Sequence, residues 1–338
     1  MQFKKIDELK PGMRLARPIY NKNGVLLFER DSKITAPGIA NISNFGLIGL
    51  FILEPAEPCP PMSPEDVEFE RFQTVNVFSL MDEVEKILTQ GKSVKTQIIV
   101  SNIIKNYGHL ENKINFNQNL RSEEDAKFKH ALNVAILAAM MCNKLNLKVE
   151  ERLDVVTAAL MRGNVPEEVI EKMFSSTPNV KRYIFQARTI EDGAERGAME
   201  GNVKLMDGGK ILAVANTFDN MTAMSYGSEP ESEVATIKYL LSKQDFFPKN
   251  VVMALVDSIN VLVPGVCVEL NTGAKALVLN ENRSDLFRPM VLSFNGNEII
   301  DLSNRNAYGE IEIVDIMKTM DNRHVIDSDA LKQFGFGG

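Results

Sequence analysis

Residues 128–142 read FKHALNVAILAAMMC, and this stretch decides the fold class. Its apolar side chains recur at the spacing of one helix face, because about 3.6 residues make a turn. The stripe comprises Phe128, Ala131, Leu132, Ala135, Ala138, Ala139 and Cys142. The small side chains of Ala138 and Ala139 allow a second helix to approach closely. The pattern predicts a buried helix at about 123–145 in an all-α core.

Helical periodicity continues on both sides of this stretch. Ser63 can accept a hydrogen bond from the first turn of a helix, and Pro64 fits the first helical position. We therefore expect a helix to begin directly after Ser63. The predicted helices lie at about 64–89, 94–107, 123–145, 149–162, 166–174, 178–189, 207–224, 229–243 and 248–262. Together they predict a mainly α protein.

The two ends of the chain have a different character. Short extended segments flank Asn21–Gly24, whose residues suit a tight turn. Four prolines between Pro55 and Pro61 indicate a stiff linker, and from Val263 the apolar period becomes two. The predicted parts are an N-terminal β-rich module at 1–55, a proline-rich linker at 56–63, an all-α domain at 64–262, a small β subdomain (a β-hairpin or small barrel) at 263–318 and a C-terminal tail at 319–338.

Composition excludes several classes of protein. The formal net charge of −7 provides no general field that attracts nucleic acid, so we expect no nucleic-acid binding. The longest apolar run, around Val134–Met141, is too short to span a bilayer. Cys59, Cys142 and Cys267 are odd in number and far apart, which suits a reducing compartment. Since residues 1–7 do not resemble a signal peptide, we expect a cytoplasmic protein.

Residues 213–222 read AVANTFDNMT and resemble the late helix of HD-GYP domains, the HD phosphohydrolases that hydrolyse the bacterial messenger cyclic di-GMP. Other landmarks appear along the chain in the family's order. They are His130 with Val134-Ala135, then Ala158–Met161, Asp192-Gly193 and Phe246–Val252. The stretches Lys10–Ile19 and Pro264–Gly273 resemble modules often found before and after these domains. The resemblance covers most of the chain and implies an all-α HD-GYP-like core between two small β modules.

The metal ligands that the resemblance implies are replaced at most positions. The family's His-Asp dyad falls on Arg162 and Gly163, its paired histidines on Ala187 and Arg188, and its late metal-binding aspartate on Asn216. His130 is the single retained ligand position. The chain has three histidines, whereas a His-rich metal centre needs several imidazoles at one point. We therefore predict no bound metal, no cofactor and no catalytic residue.

The replacements also suggest an anion site. The resemblance implies that Arg162 and Arg188 both point into the family's metal cleft, where two guanidiniums would suit a phosphate. Asn216 lies at a former ligand position, and Tyr226 is the tyrosine retained from the family's nucleotide-contacting stretch. These four residues form the candidate anion- or nucleotide-binding site.

Simpler structural interpretations stand beside the functional ones. For the two arginines we favour ion pairs with nearby acids, such as Asp154 or Glu191. A lone histidine such as His130 is more often a hydrogen-bonded structural residue than a metal ligand. The helix-internal carboxylate of Asp219 is expected to form an ion pair.

Two glycine-containing motifs have structural explanations as well. Glu191-Asp192-Gly193 is followed by Gly197 and Gly201, which predicts a turn and an irregular loop rather than a paired-carboxylate site. Residues 206–210 read MDGGK but lack the spacing of a phosphate-binding loop. Capping of a helix by Asp207 explains that stretch better.

The leading functional prediction is a catalytically inactive HD-GYP-like protein that acts in bacterial signalling or scaffolding through protein–protein contacts. The resemblance implies partners from cyclic-di-GMP signalling, and edge strands of the β subdomain offer a physical route to such contacts. One alternative is a receptor that binds a cyclic-di-GMP-like nucleotide in the altered cleft without hydrolysing it. The other is a metal-dependent cyclic-di-GMP phosphodiesterase with an atypical site. A homo-oligomer is compatible with all three.

Overall fold

The computed structural model describes residues 2–43, 49–53, 63–116, 118, 121, 125–199, 204–223, 230–282 and 284–316. Helices predominate in these ranges, with small antiparallel sheets near each end, so the predicted mainly α class is confirmed. The predicted linker at 56–63, apart from Ser63, and the predicted tail at 319–338 lie outside the described residues.

The N-terminal module contains β1 (Gln2–Lys5), a short 3₁₀ helix (Ile6–Glu8), β2 (Arg14–Leu15), β3 (Ile19–Tyr20), β4 (Leu26–Phe28), α1 (Ala36–Ser43) and β5 (Gly49–Leu53). The strands form an antiparallel sheet in the order β1-β5-β2 and a separate β3–β4 hairpin. Helix α1 was not expected from the sequence. Its Pro37 is tolerated because it lies in the first turn, where a backbone N–H has no helical partner.

The helical part carries α2 (Pro64–Gln90), α3 (Thr96–Tyr107), α4 (Ala126–Lys144), α5 (Val149–Met161), α6 (Glu167–Met173), α7 (Asn179–Arg196), α8 (Asp207–Thr222), α9 (Glu233–Ser242) and α10 (Lys249–Val256). Each corresponds to a predicted helix. As expected, Ser63 caps α2: its hydroxyl accepts from the Asp66 N–H (3.1 Å), and the Asp66 carboxylate accepts from the Ser63 N–H (3.0 Å).

Helix α4 is the central element of the helical part. Every residue from Ala131 to Cys142 is buried, rather than one stripe alone. The reason is that α2, α3, α5, α8 and α10 all pack against α4 and cover its whole circumference. The stretch that predicted an all-α core therefore lies at its centre.

The expected turn at residues 191–193 is wrong, because α7 continues through it. The helix ends only at Gly197, which adopts a left-handed conformation with φ of +77°. A Cβ atom on Gly193 would lie 2.9 Å from Met199 Sδ and 3.1 Å from the Phe246 ring. This glycine therefore allows close packing of a helix interior and does not mark a turn.

The expected cap at Asp207 is also wrong. Asp207 is the first residue of α8, and its carboxylate contacts Lys210 Nζ (2.9 Å) instead of a backbone N–H. A Cβ atom on Gly208 would lie 2.6 Å from the Tyr183 ring, and one on Gly209 would lie 2.6 Å from Gln186 Oε1. The two glycines therefore allow α7 and α8 to approach closely.

The chain forms two compact units, one of Met1–Pro230 with Leu240–Ile259 and the other of Glu231–Tyr239 with Asn260–Gly338. The second unit contains β6 (Cys267–Leu270), β7 (Lys275–Asn280), β8 (Met290–Ser293), β9 (Glu298–Asp301), α11 (Arg305–Tyr308) and β10 (Ile313–Ile316). Its antiparallel sheet has the order β10-β6-β7-β8-β9. The sequence analysis did not predict α11 and β10. Across the described ranges, no helix is both long enough and apolar enough to cross a bilayer.

Candidate functional site

Two pairs of polar residues face each other between the central helices. Residues three positions apart lie on one side of a helix, which places His130 beside Asn133 on α4 and Asn216 beside Asp219 on α8. The pairs meet directly: His130 Nδ1 lies 2.6 Å from Asp219 Oδ2, and His130 Nε2 lies 2.9 Å from Asn216 Oδ1. Both ring nitrogens of His130 are therefore bonded to side chains of the protein.

Asp219 lies at the centre of the site and has no exposed surface. Its Oδ1 accepts hydrogen bonds from Gln118 Nε2 and Asn133 Nδ2, each at 3.0 Å. Its Oδ2 contacts the Arg121 guanidinium as well as His130. Both carboxylate oxygens are thus occupied by protein donors, which a buried charge requires.

The network continues from this centre toward the N-terminal module. Gln73 Nε2 donates to Asn133 Oδ1 (3.0 Å) from α2. Arg17 donates to the Gln118 backbone carbonyl (3.0 Å), lies 3.8 Å from the Glu70 carboxylate and stacks over the Phe51 ring at 4.8 Å. The residues around Asp219 are therefore connected, through Gln118 and Arg17, to the module that precedes the helices.

The electrostatics of Asp219 favour its charged form. Burial by itself raises the pKa of this carboxyl group, but the hydrogen bond to His130 and the positive charge of Arg121 outweigh burial. The resulting pKa lies below the ordinary value for aspartate. Asp219 is therefore a fixed negative charge that is neutralised from within the protein.

Arg162 lies at the C-terminal end of α5 and reaches α7. Its guanidinium forms a two-pronged ion pair with the Glu191 carboxylate, and both side chains are about five-sixths buried, with exposures of 15% and 16%. Burial raises the pKa of Glu191, although Arg162 and the nearby charge of His130 act in the opposite direction. Arg162 was interpreted either as part of an anion site or as the partner of a nearby acid. Its contacts match the second interpretation.

The other candidate residues are not gathered at one point. Arg188 pairs with Glu167 of α6 and lies on the outer face of α7, with 45% of its side chain exposed. Asn216 is buried against His130. Tyr226 lies outside the described residues. The described contacts therefore place Arg162 and Asn216 in the interior and Arg188 on a different surface.

The side chains at this position do not fit a metal ion. His130 has both ring nitrogens engaged, Asn216 offers only a neutral amide, and Glu191 is already bonded to a guanidinium. Within the described ranges, no group of three or more His, Cys, Asp or Glu side chains is arranged to hold a metal. The positive guanidinium of Arg162 next to Glu191 also opposes a cation.

Compared with known proteins, the chain matches no family model, no curated protein and no solved structure at a significant level.

Of the four described side chains that contact Asp219, only His130 was named from the sequence. Gln118 and Arg121 lie about 100 residues before Asp219, at sequence separations of 101 and 98, in a stretch where no helix or strand was predicted. Asn133 was not singled out from the sequence. The available signal was Asn133 itself, since it is the one amide inside an otherwise apolar run of α4.

Replacing Asp219 by Asn is expected to destabilise the protein strongly. The buried Arg121 guanidinium, which is 5% exposed, would lose its counter-charge, and such a loss costs about 3–5 kcal/mol. Urea unfolding followed by circular dichroism measures the change in the free energy of unfolding. The matched control is Asp207→Asn on the same helix. Its carboxylate is 61% exposed, so its ion pair with Lys210 contributes about 1 kcal/mol or less. Equal losses for the two variants would contradict this assignment.

Stability is also expected to depend on pH through Asp219. Because its pKa in the folded protein lies below the ordinary value, its contribution is complete above about pH 4 and is lost as the pH falls through the folded pKa. The free energy of unfolding of the wild type should therefore fall more steeply on acidification than that of Asp219→Asn. Urea titrations of both proteins at a series of acidic pH values test this, and parallel curves would show that Asp219 is not the responsible group.

Proposed function

We propose that this chain is a degenerate HD-GYP-like protein of the bacterial cytoplasm that acts in signalling or scaffolding through protein contacts, without catalysis. The observation that carries the proposal is the closed side-chain network around Asp219 and His130. It occupies the place between α4 and α8 where the resemblance would put metal ligands. Each ligand-type atom there already has a partner within the protein.

The charge balance of the site supports the same conclusion. Hydrolysis of a phosphodiester requires metal ions that activate water and stabilise the negative charge that develops. Here Arg121 neutralises Asp219 and Arg162 neutralises Glu191, so no carboxylate of this set is left to attract a cation. The retained interactions instead stabilise the fold, which suits a domain that serves as a platform.

The C-terminal sheet supplies a surface suited to protein contacts. β9 is an outer strand of that sheet, and Ile299 on it is 40% exposed. An outer strand can pair with an extended segment of another protein through backbone hydrogen bonds, and an exposed apolar side chain adds affinity. By the resemblance, the partner would be a protein that makes, degrades or binds cyclic di-GMP.

A second candidate function is a receptor that binds the nucleotide without hydrolysing it. It is favoured by Arg121, since the Nε of this buried guanidinium has no acceptor among the described residues. The ion pair between Arg162 and Glu191 opposes it, because the guanidinium would have to leave its carboxylate to bind a phosphate. We place this function second for that reason.

An activity and binding assay separates these functions. With cyclic di-GMP and added manganese or iron(II), the purified chain should show no hydrolysis and no stoichiometric metal. Turnover that disappears in His130→Ala would contradict the non-catalytic proposal. Calorimetry on the same protein tests the receptor: tight binding that is lost in Arg162→Ala would favour it, and Arg188→Ala serves as a control because Arg188 lies on the outer face of α7.

The contact surface can be tested by copurification from the bacterium that carries the protein. We expect the tagged wild type to retain a protein of cyclic-di-GMP signalling, and Ile299→Lys to lose it because a charge on β9 opposes strand pairing. Val149→Lys on α5 is the matched control, since Val149 is 67% exposed and lies on a helix. The role of β9 would be refuted if the wild type and both variants retained the same proteins, or if the wild type retained none.

A further inference from the structure

The outer face of α7 is exposed along most of the helix. Arg182, Phe185, Arg188 and Asp192 are exposed and Thr189 is half-buried, and these residues recur at intervals of three or four. Their neighbours Tyr183, Ile184, Ala187 and Ile190 are buried on the opposite side. This exposed set, which we term the α7 face, belongs to a helix of 18 residues, or about 27 Å.

Phe185 projects from the α7 face between two cavities. It is 59% exposed, which is unusual for a large aromatic side chain. The first cavity, about 300 Å³, is lined by Ile170, Pro178 and Ile184 on the side of α6. The second cavity, about 350 Å³, extends along the later half of α7 and is lined by Thr189, Asp192 and Gly193 among others. Phe185 borders both, so a protruding ring lies directly beside a hollow large enough for another ring.

The charges of the α7 face are ordered along the helix. Arg182 lies one turn before Phe185, and Asp192 lies about two turns after it. Arg188 lies between them, but it is already paired with Glu167. Lys181, which pairs with Glu171, is also exposed near the start of the helix, and Glu195 and Arg196 are exposed near its end, where their opposite charges offset each other. The face therefore has a net positive charge near its start, a net negative charge near its end from Asp192, and an apolar ring between the two.

We propose that two copies of this chain associate through the α7 face, with the two α7 helices antiparallel about a two-fold axis. A two-fold contact is self-complementary. If one residue of the first copy touches another residue of the second copy, the same two residues also meet with the copies exchanged. Pairing Arg182 with Asp192 of the second copy places the axis midway between these positions, at Ala187. Pairing Phe185 with the hollow at Thr189 of the second copy also places the axis at Ala187. One register therefore satisfies both the charge pairing and the seating of the ring in the hollow, which extends from Phe185 along α7 to Ala198.

The chemistry of the face favours a second copy over an unrelated partner. A wholly acidic or wholly basic segment would match only one end of the face and would meet a like charge at the other. An identical antiparallel helix matches both ends. The two Arg188 side chains would approach near the axis, but each carries Glu167 as its counter-ion, which removes most of the repulsion. The dimer does not depend on the proposed signalling role, and either can fail without the other.

Sedimentation equilibrium on the full chain tests the dimer. We expect a species of twice the 37.7 kDa chain mass that dissociates on dilution. Phe185→Ala should raise the dissociation constant about tenfold or more, because a central aromatic side chain dominates the energy of such contacts. The matched control is Phe78→Ala on α2, where the ring is 37% exposed and lies off the α7 face. Circular dichroism confirms that each variant is folded.

A charge exchange tests the two-fold register specifically. Arg182→Glu and Asp192→Arg should each weaken the dimer, because each places like charges opposite one another. The double variant should restore the wild-type dissociation constant, since it rebuilds both pairs with reversed sign. A chain that stays monomeric at every concentration would overturn the proposal. So would a dimer indifferent to Phe185→Ala, or a double variant no tighter than the single ones.

Discussion

The burial of one carboxylate, that of Asp219, is the constraint on which the centre of the helical part depends. A charge with no access to water is stable only if protein donors replace its hydration. Arg121, Gln118, Asn133 and His130 supply those donors from α4 and from the stretch between α3 and α4. Because these residues come from distant parts of the chain, the requirement of a single carboxylate fixes the mutual position of several elements.

The same network explains why the interior of this fold is suited to stability and poorly suited to metal chemistry. A metal centre needs ligand atoms that are held in place but left without protein partners. Around His130 the ligand-type atoms are bonded to one another, and Arg162 adds a positive charge next to Glu191. The two contact surfaces proposed above, β9 of the C-terminal sheet and the α7 face with Phe185, lie instead on the exterior.

The helices were predictable because their signals are local. Apolar periodicity placed α4, and the cap at Ser63 with Pro64 placed the start of α2 within one residue. The glycines were misinterpreted because the residues that pack against them are distant in the sequence. Gly193 and Gly208 resemble turn or loop residues in sequence, yet each lies inside a helix where another ring or sulfur atom leaves no room for a Cβ. Nothing near them in the sequence reports that neighbour.

The residue types and their local spacing are enough to predict that this protein is mainly α, where most helices lie, and that the residues of a His-rich metal centre are missing. These properties depend on residue type and on spacings of a few positions. Which polar side chains meet is visible only in the folded chain: Gln118 and Arg121 contact Asp219, Arg162 pairs with Glu191, and Arg188 faces outward. Such contacts depend on how each helix is rotated and packed, and packing is set by the whole chain at once.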